Sequence, residues 1–101
     1  MTHPRKSLDS VIHAPVRFSI TAALAAVDEA DFKSLRDAIE ITDSALSKQI
    51  SVLEQAEYVR VRKAFVGKRP RTWLSLTAKG RKAFTDHLIA LRQIAGWSPD
   101  D

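Results

Sequence analysis

Apolar residues recur at helical intervals of three and four through the first half of the chain, switch to strict alternation, and then return to the helical interval. Leu8, Val11 and Ile12 predict a short helix over 8–14, after a polar and flexible N-terminus over 1–7. Pro15 suits the first turn of a second helix, which carries Val16 or Phe18, Ile20, Ala23, Leu24 and Val27 as its stripe. A polar break follows, and Asp31 is placed to cap a helix bearing Phe32, Leu35, Ala38 and Ile39. Ile41 and Thr42 leave room only for a tight turn. Thr42 caps the next helix, in which Leu46, Ile50 and Leu53 share one face while Ser44, Ser47, Lys48 and Ser51 share the other.

The period changes at Tyr58. Residues 58–65 alternate and favour a strand, 66–71 read as a turn with glycine, proline and three cations, and 72–76 alternate again. Thr77 caps a final long helix over 77–97, ending near Gly96 and Pro99. The fold class expected is mainly α with a small β-hairpin (α+β). Two helices joined by a tight turn and followed by a basic hairpin, residues 15–76, describe a winged helix-turn-helix within a single domain of 101 residues.

Charge placement adds the functional signal. The net charge is only +4, yet no acid occurs from Tyr58 to Thr85, where nine of the sixteen Lys and Arg residues lie. Such segregation is the footprint of a polyanion binder. With no cysteine, thiolate metal sites, disulfides and thiol nucleophiles are excluded. His3, His13 and His87 are scattered without ligand spacing, except that His87 adjoins Asp86 on the last helix. No metal, cofactor or catalytic constellation is expected, so the chain is read as a non-enzyme. It has neither a signal-like apolar run nor an apolar stretch long enough to span a bilayer, and is expected to be soluble and cytoplasmic.

The third helix and the hairpin are the candidate contacts with double-stranded DNA. A major groove admits one α-helix whose outer residues meet base edges, and short or basic side chains neither block nor repel it. Ser44, Ser47, Lys48 and Ser51 meet that demand, with Gln49 added if the helix is slightly rotated. On the hairpin, Lys68, Arg69 and Arg71 are candidates for phosphates or the minor groove, while Arg60, Arg62 and Lys63 position the protein. Arg17 is assigned a structural role, through Asp37 or Glu40, ahead of a phosphate contact. Trp73 is assigned to hairpin packing, and Gly80 to close approach between helix and strand.

Several strings resemble the winged-helix DNA-binding domains of MarR/ArsR-like transcriptional regulators, particularly a compact single-domain branch. They are His13-Ala14-Pro15-Val16-Arg17, Leu46-Ser47-Lys48-Gln49-Ile50, Gly67-Lys68-Arg69-Pro70-Arg71-Thr72-Trp73 and Leu76-Thr77-Ala78-Lys79-Gly80-Arg81. The resemblance covers about three-quarters of the chain and implies a homodimer that binds a palindromic operator, usually as a repressor. Similar proteins have glycine where this chain has Glu57, which leaves the end of the third helix open.

Apolar surface around the last helix points to a dimer seam of Phe84, Leu88, Leu91 and Ala95, joined by Leu8, Val11 and Ile12 of the partner's first helix. Two other readings compete with DNA: a winged helix used as a protein-interaction module, and RNA binding by the same basic surface. Whether a small-molecule effector modulates binding is left open by the sequence.

Overall fold

The computed structural model describes residues 2–100. A 3-10 turn at Pro4–Ser7 leads to α1 (Pro15–Ala25), β1 (Ala30–Asp31), α2 (Phe32–Ile39), α3 (Asp43–Gln55), β2 (Val59–Val66), β3 (Arg69–Leu76) and α4 (Ala78–Ala95). The antiparallel sheet has the order β1-β3-β2. The fold is the expected α+β class, with two departures near the N-terminus and one in the sheet.

Residues 8–14 do not form a helix. The Asp9 carboxylate accepts from the Val11 and Ile12 amides at 2.9 and 3.1 Å, and the His13 amide closes a single turn onto the Asp9 carbonyl. An Asp side chain bonded to nearby amides competes with helix propagation, and Pro15 forces Ala14 into the extended conformation (φ −133°, ψ 132°). The helical turn lies earlier, at Pro4–Ser7, within the stretch expected to be flexible. The third strand, β1, is the added element: Ala30 and Asp31 pair with Leu74 and Trp73.

Local capping chemistry sets most of the element starts. Pro15 opens α1, and the side chains of Asp31, Thr42 and Thr77 accept from the amides of Ser34, Ala45 and Gly80 to cap α2, α3 and α4. The ends of α2 and α3 share an unusual device. Glu40 (φ 62°) and Glu57 (φ 65°) both take the left-handed conformation that normally favours glycine. At α3, the Tyr58 amide bonds the Leu53 carbonyl and the Glu57 amide bonds the Glu54 carbonyl. Glu57 therefore bears the left-handed conformation itself, and the junction from α3 to β2 keeps the geometry that a glycine would give.

The core gathers Ile20 and Leu24 of α1, Leu35 of α2, Leu46, Ile50 and Leu53 of α3, and Val59, Leu74 and Leu76 of the sheet. The sheet buries side chains only at its base. Beyond Val61 and Leu74 the hairpin projects into solvent, which draws the molecule out to 62 × 25 × 21 Å. Its radius of gyration, 15.6 Å, exceeds the ~13 Å of a compact chain of about 100 residues.

Candidate nucleic-acid interface

Residues 43–55 form a helix whose inner face is fixed by complete burial of Leu46 and Leu53 and near-complete burial of Ile50. That anchoring turns Ser44, Ser47, Lys48 and Ser51 outward, and all four are exposed. The Ser51 hydroxyl donates to the Ser47 carbonyl at 3.0 Å, so its oxygen remains an acceptor while its proton is committed to the helix. Gln49 departs from the set. It is half-buried, and its side-chain oxygen accepts from the Arg17 guanidinium at 2.8 Å. Arg17 also donates to the Val11 carbonyl, so it tethers α3 to the N-terminal turn and pairs with neither Asp37 nor Glu40.

The hairpin stands beside α3, and an open groove of about 740 Å³ separates them. Ser47, Ser51 and Glu54 line one wall, and Val61, Lys63 and Thr72 the other. The serine face and one face of the hairpin therefore border the same concavity. Alternation along β2 and β3 puts Lys63, Phe65, Pro70 and Thr72 on this face, and Arg60, Arg62, Arg69, Arg71 and Trp73 on the opposite one. The turn is only Gly67–Lys68, because Val66 pairs with Arg69 and the strands run further than the sequence pattern suggested. Gly67 supplies the positive φ (63°) that a two-residue hairpin loop needs.

The acid-free stretch of sequence does not stay acid-free in space. Glu29 takes Arg62 in a two-pronged pair at 3.0 and 2.8 Å, and this pairing holds the Glu29 carboxyl below its usual range. Asp31 approaches Arg71 at 3.8 Å, brought there by the pairing of β1 with β3. Both guanidiniums flank the Trp73 ring, 5.8 and 5.7 Å from its centroid, so Trp73 packs within the sheet as expected. Lys79 faces Glu57, Lys82 pairs with Asp86, and Arg81 closes the end of α1 by donating to the Ala25 and Val27 carbonyls. Among the described residues, the cations of this stretch without an ion pair or carbonyl partner are Arg60, Lys63, Lys68 and Arg69, all on the hairpin. Arg62 and Arg71, expected from sequence as contacts alongside them, are instead held by Glu29 of the preceding loop and Asp31 of β1. A linear charge count cannot foresee that compensation.

The seam residues divide as well. Ile12 is wholly buried within its own chain, which removes it from any surface. Phe84 packs edge-on against Phe18, with ring centroids 5.9 Å apart, while Leu88 and Leu91 are half-buried and Ala95 is exposed, as are Ile89 and Trp97. His87 is not paired with its neighbour Asp86, whose carboxylate takes Lys82. It is completely buried beneath the N-terminal turn, where its Nδ1 accepts the Asp9 amide at 3.0 Å and its Nε2 lies 3.4 Å from His13 Nδ1. Phe65, in sequence one more alternating strand residue, is 74% exposed at the hairpin tip. The signal for it was available, since it follows Lys63 on the same face, past the point where that face leaves the core.

A tight helix pair followed by a projecting hairpin, with the second helix's polar face beside it, defines a winged helix-turn-helix. The chain belongs to the winged helix DNA-binding domain family, whose model matches residues 16–95. It is 27% identical to an uncharacterized protein of Methanocaldococcus jannaschii over 85 residues, 84% of this chain and 92% of the relative. Among solved structures, a transcriptional regulator homologue from Pyrococcus horikoshii superposes with a TM-score of 0.85 at 26% identity, covering 94% of this chain and 95% of the other. NadR in complex with 4-hydroxyphenylacetate is also similar, with a TM-score of 0.72 at 27% identity over 92% of this chain and 65% of its own. Reduced AbfR bound to DNA shares the fold, with a TM-score of 0.71 at 17% identity over 98% of this chain and 68% of its own. No helix among the described residues is long and apolar enough to cross a membrane.

Proposed function

We propose that this chain is a homodimeric transcriptional regulator that binds specific double-stranded DNA and represses nearby genes. The observation that carries the reading is that α3's exposed serines and the hairpin border one concavity, with the unpaired cations Lys63 and Lys68 on that face or at the tip. Ser44, Ser47, Lys48 and Ser51 would meet base edges, with Lys63, Lys68 and Arg69 on flanking phosphates and Arg60 nearer the base of the hairpin. Glu54, on the wall of the groove, would disfavour a passing phosphate and so narrow the register that α3 adopts. The N-terminal turn, the helix-turn-helix, the hairpin and α4 act as the one domain expected of the 101 residues, and α4 supplies the dimer contact.

Support for the dimer is the apolar surface on and just after α4: Leu88 and Leu91 half-buried, Ile89 47% and Trp97 52% exposed. Isologous pairing of such a helix sets two recognition helices one turn of DNA apart, ~34 Å. Selection from a random duplex pool tests the reading. It should recover a palindrome, and Leu88→Glu with Leu91→Glu should lose it and halve the mass seen by light scattering. Recovery of no enriched duplex, or preference for single strands or folded RNA at equal salt, contradicts it.

A further inference from the structure

We propose that Phe65 is an apolar wedge that enters a base step of the minor groove beside the site read by α3, kinking the duplex. The proposal rests on the duplex-binding reading above and names a specific contact within it.

Phe65 has the greatest exposure of the large apolar side chains found on the surface, 74%, and its neighbour Val66 is 51% exposed. Folding gains little from an aromatic ring left in water, since the free energy of burial is not realised there. The ring is also misplaced for a contact with the protein's own core, which the hairpin leaves behind at Val61 and Leu74. Across the ladder its partner is Pro70, so the two carry an apolar tip on one face. The strands close through Gly67–Lys68 alone, which keeps that tip narrow.

What surrounds the ring selects its partner. Lys63 precedes it on the same face, Lys68 sits at the turn, and Arg69 emerges from the other strand on the opposite face of the narrow tip, each without an acidic partner among the described residues. An aromatic ring inside an unneutralised cationic collar fits a polyanion with apolar faces inside it. A base-paired duplex has that construction. Minor-groove proteins insert apolar side chains between base steps, partly unstack them and bend the duplex by ~20–90°. The face that carries Phe65 also borders the groove beside α3, so seating α3 in a major groove brings the ring towards the adjoining minor groove.

The probe is the tightest duplex recovered by the full chain from a random pool, with 2-aminopurine at successive steps and a dye pair at its ends. Wild type should raise 2-aminopurine fluorescence at a flanking step and increase end-to-end energy transfer. Phe65→Ser should lose both signals and weaken binding about tenfold, on the scale of one lost base–aromatic stack. Phe65→Trp should keep both, and Arg69→Ala should weaken binding in a salt-dependent way while retaining the unstacking signal. Circular-dichroism melts confirm that each variant is folded. Binding by wild type without either signal, or signals unchanged in Phe65→Ser, overturns the wedge but leaves the duplex reading standing. A chain that enriches no duplex overturns both.

Discussion

The Asp9 amide donates to Nδ1 of the buried His87 at 3.0 Å, joining the N-terminal turn to α4 across 78 positions of sequence. An acceptor at Nδ1 places the neutral ring's single proton on Nε2, facing His13 Nδ1 at 3.4 Å. The Asp9 carboxylate is occupied elsewhere, by the Val11 and Ile12 amides and by the Tyr58 hydroxyl, which donates to it at 2.5 Å. That bond to a carboxylate, with burial, pushes the Tyr58 phenol up to about 12. The Val11 carbonyl in turn holds Arg17, and Arg17 holds Gln49 of α3. A polar chain thus runs from α4 to the helix proposed to read DNA.

Burial, and then the neighbouring His13, hold His87 below its ordinary value of 6.5. Protonation would also cost the ring its acceptor for the Asp9 amide. A cationic form disfavoured by folding means that the unfolded chain binds the proton first. Stability is therefore full above about pH 6.5 and declines as pH falls below it, levelling once His87 charges in the folded state. His87→Gln should flatten this decline in thermal melts between about pH 8 and pH 5. An equal slope in wild type and variant would locate the dependence elsewhere.

Gly80 tests the packing of α4 on the sheet. A Cβ built there would lie 2.1 Å from the Tyr58 carbonyl oxygen, and the obstacle is backbone. The same carbonyl accepts the Thr77 amide at 3.0 Å, so it has little freedom to withdraw. Gly80→Ala should cost between about 1 and 3 kcal/mol in denaturant unfolding, despite alanine's better helix propensity. A neutral or stabilising outcome would show that α4 sits further from the Tyr58 backbone.

Arg69 and Arg62 are equivalent in a charge count and different in the fold: Glu29 pairs with Arg62, and no acid pairs with Arg69 among the described residues. Arg69→Ala should reduce the slope of log affinity against log salt by about one unit. Arg62→Ala should leave that slope nearly unchanged, because Glu29 already neutralises it. Equal losses from both would mean that the pair opens on binding.

The parts of this molecule that were legible in sequence are those decided within a few residues. Asp31, Thr42 and Thr77 cap because their side chains reach amides three positions on, and α3 exposes its serines because Leu46, Ile50 and Leu53 repeat on the other face. What escaped was settled at long range or against local preference. β1 is two residues long and exists only because β3 lies beside it. Glu40 and Glu57 adopt a conformation that their type does not advertise. The neutralisation of Arg62 depends on an acid 33 positions away, and the burial of Ile12 on a turn that Asp9 holds short of a helix.

The most direct measurement is a duplex-binding titration of Ser47→Glu and Lys48→Glu against wild type, using the sequence recovered from the random pool. Both side chains are exposed, so melting should be unchanged. A carboxylate on α3's outer face should repel the duplex and abolish specific binding. Retention of wild-type affinity by either folded variant would mean that this face of α3 does not enter the groove.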